Sequence, residues 1–259
     1  MLTLAQACED RVKLGRACNA LGNAEKHLGN AKAAEIWYTS ALTHHRAAGD
    51  RRGVGVVLMN LGAAAADLHL DFESARQYFL EALQIFRDLG LSVNVGIVLA
   101  NLGEISGQTG DYETAIAYAS DSLSIFERLR NPCAQAWQLV SIAHYRIERR
   151  EWERAACALR SAHVLLSEHP HREYGAMLLE VGLYLAGDLG RDELAARIAG
   201  YLHAYREREA VPRLPSAQRH FERRTQRARR SLGNSAYENA YASGAAYAPD
   251  ALLAEIVRP

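Results

Sequence analysis

The sequence predicts an all-α protein made of stacked antiparallel helix pairs, and three observations carry that reading. The chain rhymes with itself about every forty residues, in Asn19-Ala20-Leu21-Gly22, Asn60-Leu61-Gly62 and Asn101-Leu102-Gly103. Twelve or thirteen residues after each Leu-Gly stands an alanine (Ala34, Ala75, Ala115), and Ala155 continues the series. Four residues further on comes Tyr38, Phe79, Ala119 or Leu159, and at seven comes Ala41, Ala82, Ser122 or Ala162. Residues spaced by three and four share one helical face, where the small side chains admit a neighbouring helix and the large one fills the gap. No such pair buries its apolar face alone, so the pairs must stack.

The elements follow in chain order. Asp10-Arg11 precedes Gly22 by twelve residues, as Asp50-Arg51 precedes Gly62, which aligns Leu2-Thr3 with Leu42-Thr43 inside a second helix. The chain is therefore expected to open on a partial helix of a preceding repeat, as the C-terminal piece of a longer protein. The alternative is a capping helix over residues 2–9. Turns are expected at Leu28-Gly29-Asn30, Thr109-Gly110-Asp111 and Arg149-Arg150-Glu151, each a helix stop followed by a polar start. A weaker fifth unit is marked by Gly187-Asp188-Leu189-Gly190-Arg191-Asp192 and then Ala195. The expected organisation is repeats over 1–210 and a helical capping segment over 211–259, entered through a break at Pro212 to Pro215 and closed by a helix from Pro249 to Val257.

Composition narrows the function classes. The chain has 259 residues, 49% hydrophobic and 23% charged, with no net charge. No apolar run approaches a membrane span, and no signal peptide or lipidation motif is visible, so a cytoplasmic protein is expected. Cys8, Cys18, Cys133 and Cys157 form no Cys-x-x-Cys pair and read as small buried residues. His44-His45 and His169-Pro170-His171 lack a spaced carboxylate or cysteine that would complete a metal shell, and read as exposed loop or helix-end residues. No phosphate-binding Gly-rich loop, nucleophile elbow, zinc-protease or EF-hand pattern appears, so neither catalysis nor a cofactor is expected.

Leu-Gly in the first helix, Gly110-Asp111-Tyr112 at the turn and the alanines of the second helix resemble the tetratricopeptide repeat (TPR), over residues from about 13 to 208. The resemblance implies a right-handed α-solenoid. Ala48 to Val54 and Leu83 to Gly90 further resemble the C-terminal TPR sensor region of bacterial signal-transducing ATPases and LuxR-type transcriptional regulators. So does the tail, with Arg197-Ile198-Ala199-Gly200, Ser231-Leu232-Gly233, Tyr237 to Tyr241 and Gly244. That resemblance implies a non-enzymatic sensing or protein-interaction region whose partners include ATPase and DNA-binding domains of its own parent protein. A free-standing adaptor is the alternative.

In such a stack the first helices line a concave surface, and the residue before Leu-Gly points into it. Asn60 and Asn101 are equivalent there, with Ser141 at the third place. Asn19, Asn23 and Lys26 in the first unit, and Glu104, His144 and Glu148 later, are expected on the same face. By the resemblance, the asparagines clamp an extended peptide; an amide offers a donor and an acceptor together. They can equally stabilise neighbouring repeats. Acidic Glu104 and Glu148, with lysine only at 13, 26 and 32, argue against a clamp for acidic C-termini.

The arginine run from Arg219 to Arg230 is the strongest charge feature. Phe221, Ala228 and Leu232 are expected to pack inward, leaving Arg223, Arg227 and Arg230 solvated, docked on an acidic surface or, less in keeping with the balanced charge, on nucleic acid.

Overall fold

The computed structural model describes residues 2–209, 215–247 and 249–256. Thirteen α-helices and no strand are found among the described residues, in an all-α fold of the α-solenoid class. The chain forms two compact units, Met1–Ile125 and Phe126–Pro259.

The first unit holds α1 (Leu2–His27), α2 (Ala31–Ala47), α3 (Arg51–Ala64), α4 (Phe72–Asp88), α5 (Ser92–Gln108) and α6 (Tyr112–Arg128) as far as Ile125. Ala34, Ala75 and Ala115 are wholly buried, as are Tyr38, Ala41 and Ala82. The Leu-Gly rhyme has a steric cause. A Cβ on Gly22 would lie 2.6 Å from the Tyr38 ring, and one on Gly62 would lie 2.8 Å from the Phe79 ring. In the third pair Ala119 replaces the aromatic residue, and the space above Gly103 is taken by the α6 backbone itself, with Ala115 O at 3.2 Å. Glycine and ring vary together because the interhelical volume must be filled.

One backbone motif recurs at four of the five turns of this unit, the turn between α3 and α4 differing in that the Asp71 N–H reaches back six residues to Ala65 O. A residue in the left-handed region is followed by an N–H that reaches back five residues: Asn30 to Glu25 O, Asp50 to His45 O, Leu91 to Phe86 O and Asp111 to Ser106 O, all within 3.0 Å. Gly49 and Gly110 supply the positive φ (68° and 84°) without steric cost. The Asp50, Asp71 and Asp111 carboxylates then accept from the backbone N–H of Gly53, Ser74 and Thr114, capping α3, α4 and α6.

Two expectations change here. α1 is continuous through Asp10-Arg11, so the match to Asp50-Arg51 marks no turn there. The turn before Asp50 is made by left-handed Gly49, whereas no positive φ is found among the described residues around Asp10. His45 is buried rather than exposed, its Nδ1 3.0 Å from the Asp50 carboxylate and its ring filling the space above Gly15 and Gly53.

The second unit contains the end of α6 and then α7 (Pro132–Glu148), α8 (Trp152–Glu168), α9 (Arg172–Asp188), α10 (Asp192–Glu209), α11 (Pro215–Leu232), α12 (Asn234–Gly244) and α13 (Pro249–Ile256). α3, α5, α7 and α9 begin at residues 51, 92, 132 and 172, the period of about forty. Ala155, Leu159, Ala162 and Ala195 are wholly buried. The turn motif persists at Asn131, Glu151 and Arg191, where Arg130 and Arg150 adopt positive φ in place of glycine. α12 packs on α10, and α11 and α13 pack on α9 and α10. Pro212 and Val257 lie outside the described residues, as does the side chain of Cys8. Cys18 is buried, but Cys157 is exposed and Cys133 only half-buried; the outward face of α8 accepts a thiol as readily as alanine.

Candidate binding site

In the first unit the first helices α1, α3 and α5 carry a continuous polar face. Asn60 Nδ2 donates to Asn19 Oδ1 across 2.8 Å, joining α3 to α1. One turn along α1, Asn23 Oδ1 accepts from the Tyr38 hydroxyl at 2.8 Å. Burial, with the Asp67 carboxylate second, pushes that phenol up to about 12, so it remains a donor at any ordinary pH. Lys26 Nζ meets Asp67 at 2.8 Å. Asp67 belongs to a π-helical turn, Ala65–His69, that extends α3 and closes at Leu70 with φ 54°. Such a turn resets the register of the side chains it carries.

The Asn60–Asn19 bond thus holds successive repeats together, and Asn23 ties α1 to α2 through Tyr38. Asn101 is half-buried on α5, and Glu104 follows it by one turn. Glu104 is exposed to solvent, with protein close enough around it to desolvate its carboxyl in part. That desolvation, reinforced by Asp67 and opposed by Gln108 and Lys26, raises its carboxyl above the ordinary carboxylate range. A raised folded pKa means that wild-type stability falls as pH rises from the ordinary Glu value through the raised one. Glu104→Gln is therefore expected to raise Tm at neutral pH, with the gain vanishing as pH falls into the ordinary carboxylate range. Melting curves of both proteins across that window test it; parallel Tm profiles would refute it.

Ser141, His144 and Glu148 lie on α7 in the second unit. Ser141 is half-buried. His144 stands edge-on to Tyr184 of α9, ring centroids 5.7 Å apart. Glu148 is engaged by α11: Arg224 Nη2 donates to it at 2.7 Å, and Arg223 approaches to 3.7 Å. Asp188 receives Arg224 at 3.5 Å and Arg227 at 3.6 Å. Arg223, Arg227 and Arg230 are exposed, and the first two reach acids of their own chain. Phe221 and Leu232 are half-buried and Ala228 is buried, as the helical spacing requires. Arg224, at 4% exposure, is the surprise. Its spacing from Phe221 and Ala228 already placed it on the inward side.

Sequence reading also missed Glu180, Tyr184 and Arg206. Glu180 is 3% exposed and accepts from Arg206 at 2.7 Å and from the Tyr184 hydroxyl at 2.8 Å. A lone acid inside the apolar run Ala176 to Gly187 was the available signal, since a buried carboxylate requires partners. Asp67 and Gln108, then Glu148 and Asp188, recur one period apart, a second polar row beyond the asparagines.

Residues 15–88 match the family model described as "Tetratricopeptide repeat", and residues 98–128 match a second model of the same description. These stretches are tetratricopeptide repeats. The chain is similar in structure to the apo form of RapI, with TM-score 0.63, 16% identity and 85% of each chain covered. It is also similar to BtubC (BKLC) from P. vanneervenii, with TM-score 0.59, 17% identity, and 89% of this chain and 88% of that one covered. A further likeness, to pilF of Pseudomonas aeruginosa, has TM-score 0.42 and 19% identity, covering 89% of this chain and 97% of that one. At these identities the likeness to RapI and BtubC is one of fold. No curated protein matches the sequence. The TPR is generally a protein-interaction scaffold rather than a catalytic one, and no described helix is long and apolar enough to cross a membrane.

Proposed function

We propose that this chain is a non-enzymatic protein- or peptide-binding TPR module, the cytoplasmic sensing or interaction region of a bacterial signal-transduction or transcriptional regulator. The observation that carries the reading is the first-helix face of the first unit. There Asn19, Asn60, Lys26, Asp67 and Glu104 put amide, cationic and anionic groups on a half-exposed surface of helices whose other face supplies the core. Asn101 extends the amide row by one repeat. A peptide lying along it would exchange backbone hydrogen bonds with the amides, and its binding would bias the packing of successive hairpins.

The adaptor reading has its own support. Leu14 and Leu21 on one stripe of α1, and Leu28 in the turn that follows it, are 51%, 45% and 73% exposed, and Ile36 of α2 is 68% exposed. An exposed apolar stripe of this kind is a surface for a second protein.

The test is a peptide-library selection on the full chain, followed by titration of the selected peptide against Asn60→Ala/Asn101→Ala. Each lost hydrogen bond is worth about 0.5–1.5 kcal/mol, so affinity should drop by about tenfold or more while helicity is retained. Melting of the double variant beside wild type measures the structural cost of the Asn60–Asn19 bond that it also removes. Unchanged affinity in the double variant would discard the ladder.

A further inference from the structure

α11 meets the second unit through charged as well as apolar side chains. Between half-buried Phe221 and buried Ala228, Arg224 extends to two acids on two successive first helices, Glu148 of α7 and Asp188 of α9. Its guanidinium lies 4.6 Å from the centre of the Tyr184 ring. Both carboxylates meet the same guanidinium nitrogen, Nη2, while the Tyr184 ring lies against the guanidinium face, a stacking contact that arginine makes more readily than lysine. Exposed Arg223 and Arg227 flank it, and a cleft of about 350 Å³ remains between the three helices. In the first unit Lys26 reaches Asp67, which stands in the same repeat row, so a cation against this row occurs in both units.

We propose that Glu148, Asp188 and Tyr184 form an arginine-recognition site for an arginine-bearing helical segment of a partner protein, and that α11 is its resident occupant, displaced when the partner binds. The site deepens the TPR-binding reading but lies in the other unit from Asn60 and Asn101, so loss of the asparagine ladder leaves it standing. A tethered occupant competes at an effective concentration of about millimolar. Partner binding to the wild-type chain is therefore weak until α11 is weakened.

The probe is a labelled synthetic peptide of residues 215–232, titrated against the full chain. Arg223→Ala/Arg224→Ala/Arg227→Ala should bind it about tenfold or more tighter than wild type does. Adding Glu148→Gln and Asp188→Asn should abolish that binding, and a peptide with its arginines changed to lysine should bind about tenfold more weakly. Hydrogen exchange supplies a readout that needs no variant: saturating peptide should accelerate exchange of residues 218–232 in the wild-type chain. Binding indifferent to Glu148 and Asp188 would overturn the proposal. So would an unchanged exchange pattern at saturating peptide, or no binding by a triple variant that melts as wild type does.

Discussion

Gly200→Ala is expected to destabilise the second unit by about 3 kcal/mol, the upper end of the usual overpacking cost. α10 and α12 cross at two reciprocal glycines. A methyl on Gly200 would overlap the carbonyl of Tyr241, and a methyl on Gly244 would overlap the carbonyl of Arg197. Both obstacles are backbone, so no rotamer change relieves them and the helices must move apart. Leu202 and Ala199, wholly buried on α10, and Tyr237 and Ala240, buried on α12, lie near this crossing in sequence and stand to lose packing with it. Denaturant or thermal melting measures the loss. The reciprocity gives a sharper check: once one methyl has separated the helices, the second costs less, so Gly200→Ala/Gly244→Ala should fall well short of the sum of the singles. Gly175→Ala is the control, since a Cβ there meets nothing within 4 Å and α9 should gain stability. A Gly200→Ala protein melting with wild type would mean that α12 does not pack at this distance.

The same two glycines show what the sequence made legible. Gly200 and Gly244 stood out by resemblance to the tail of bacterial regulators, but their cause is a contact between residues more than forty positions apart, which no local spacing announces. Gly22, Gly62 and Gly103 were readable because their partners recur with the period. The helix pairs, buried alanines and turns followed from the same recurrence. The α1 boundary did not, because a repeat match at Asp10-Arg11 says nothing about the left-handed residue that makes a turn.

The candidate site was legible to a lesser degree. The repeat register nominates Asn19, Asn23, Lys26 and Asn60 as one polar face, yet their pairings depend on side-chain reach: Asn60 to Asn19, Asn23 to Tyr38, Lys26 to Asp67. Glu148 was placed on a ligand face without any hint that Arg224 already meets it. Charge runs are read as surface because solvation is cheap there. Arg224 departs from that rule because two acids on neighbouring repeats are positioned to receive it.

Arg206→Ala should cost the second unit about 3–5 kcal/mol, the range for removing one partner of a buried ion pair. Arg206 and Glu180 are 13% and 4% exposed at the side chain, and they join α10 to α9 at 2.7 Å. Without the guanidinium the Glu180 carboxylate loses that cationic partner in the buried stretch of α9 that also holds Leu178, Val181 and Leu183. The pair itself is worth much less than its rupture, because both charges were desolvated to form it. Arg206→Met/Glu180→Leu should therefore recover most of the loss, and a double-mutant cycle should return a large coupling energy. A single variant within about 0.5 kcal/mol of wild type would show that water reaches the carboxylate and that the pair is a surface one. The effect should also travel. Tyr184 donates to Glu180 through its hydroxyl and presents its ring to Arg224, so loosening Glu180 frees the ring against which α11 is seated. Hydrogen exchange across residues 218–232 should then rise in Arg206→Ala and return toward wild type in the double variant. If it stays at the wild-type level while stability falls, Tyr184 does not couple the two ion-pair sites.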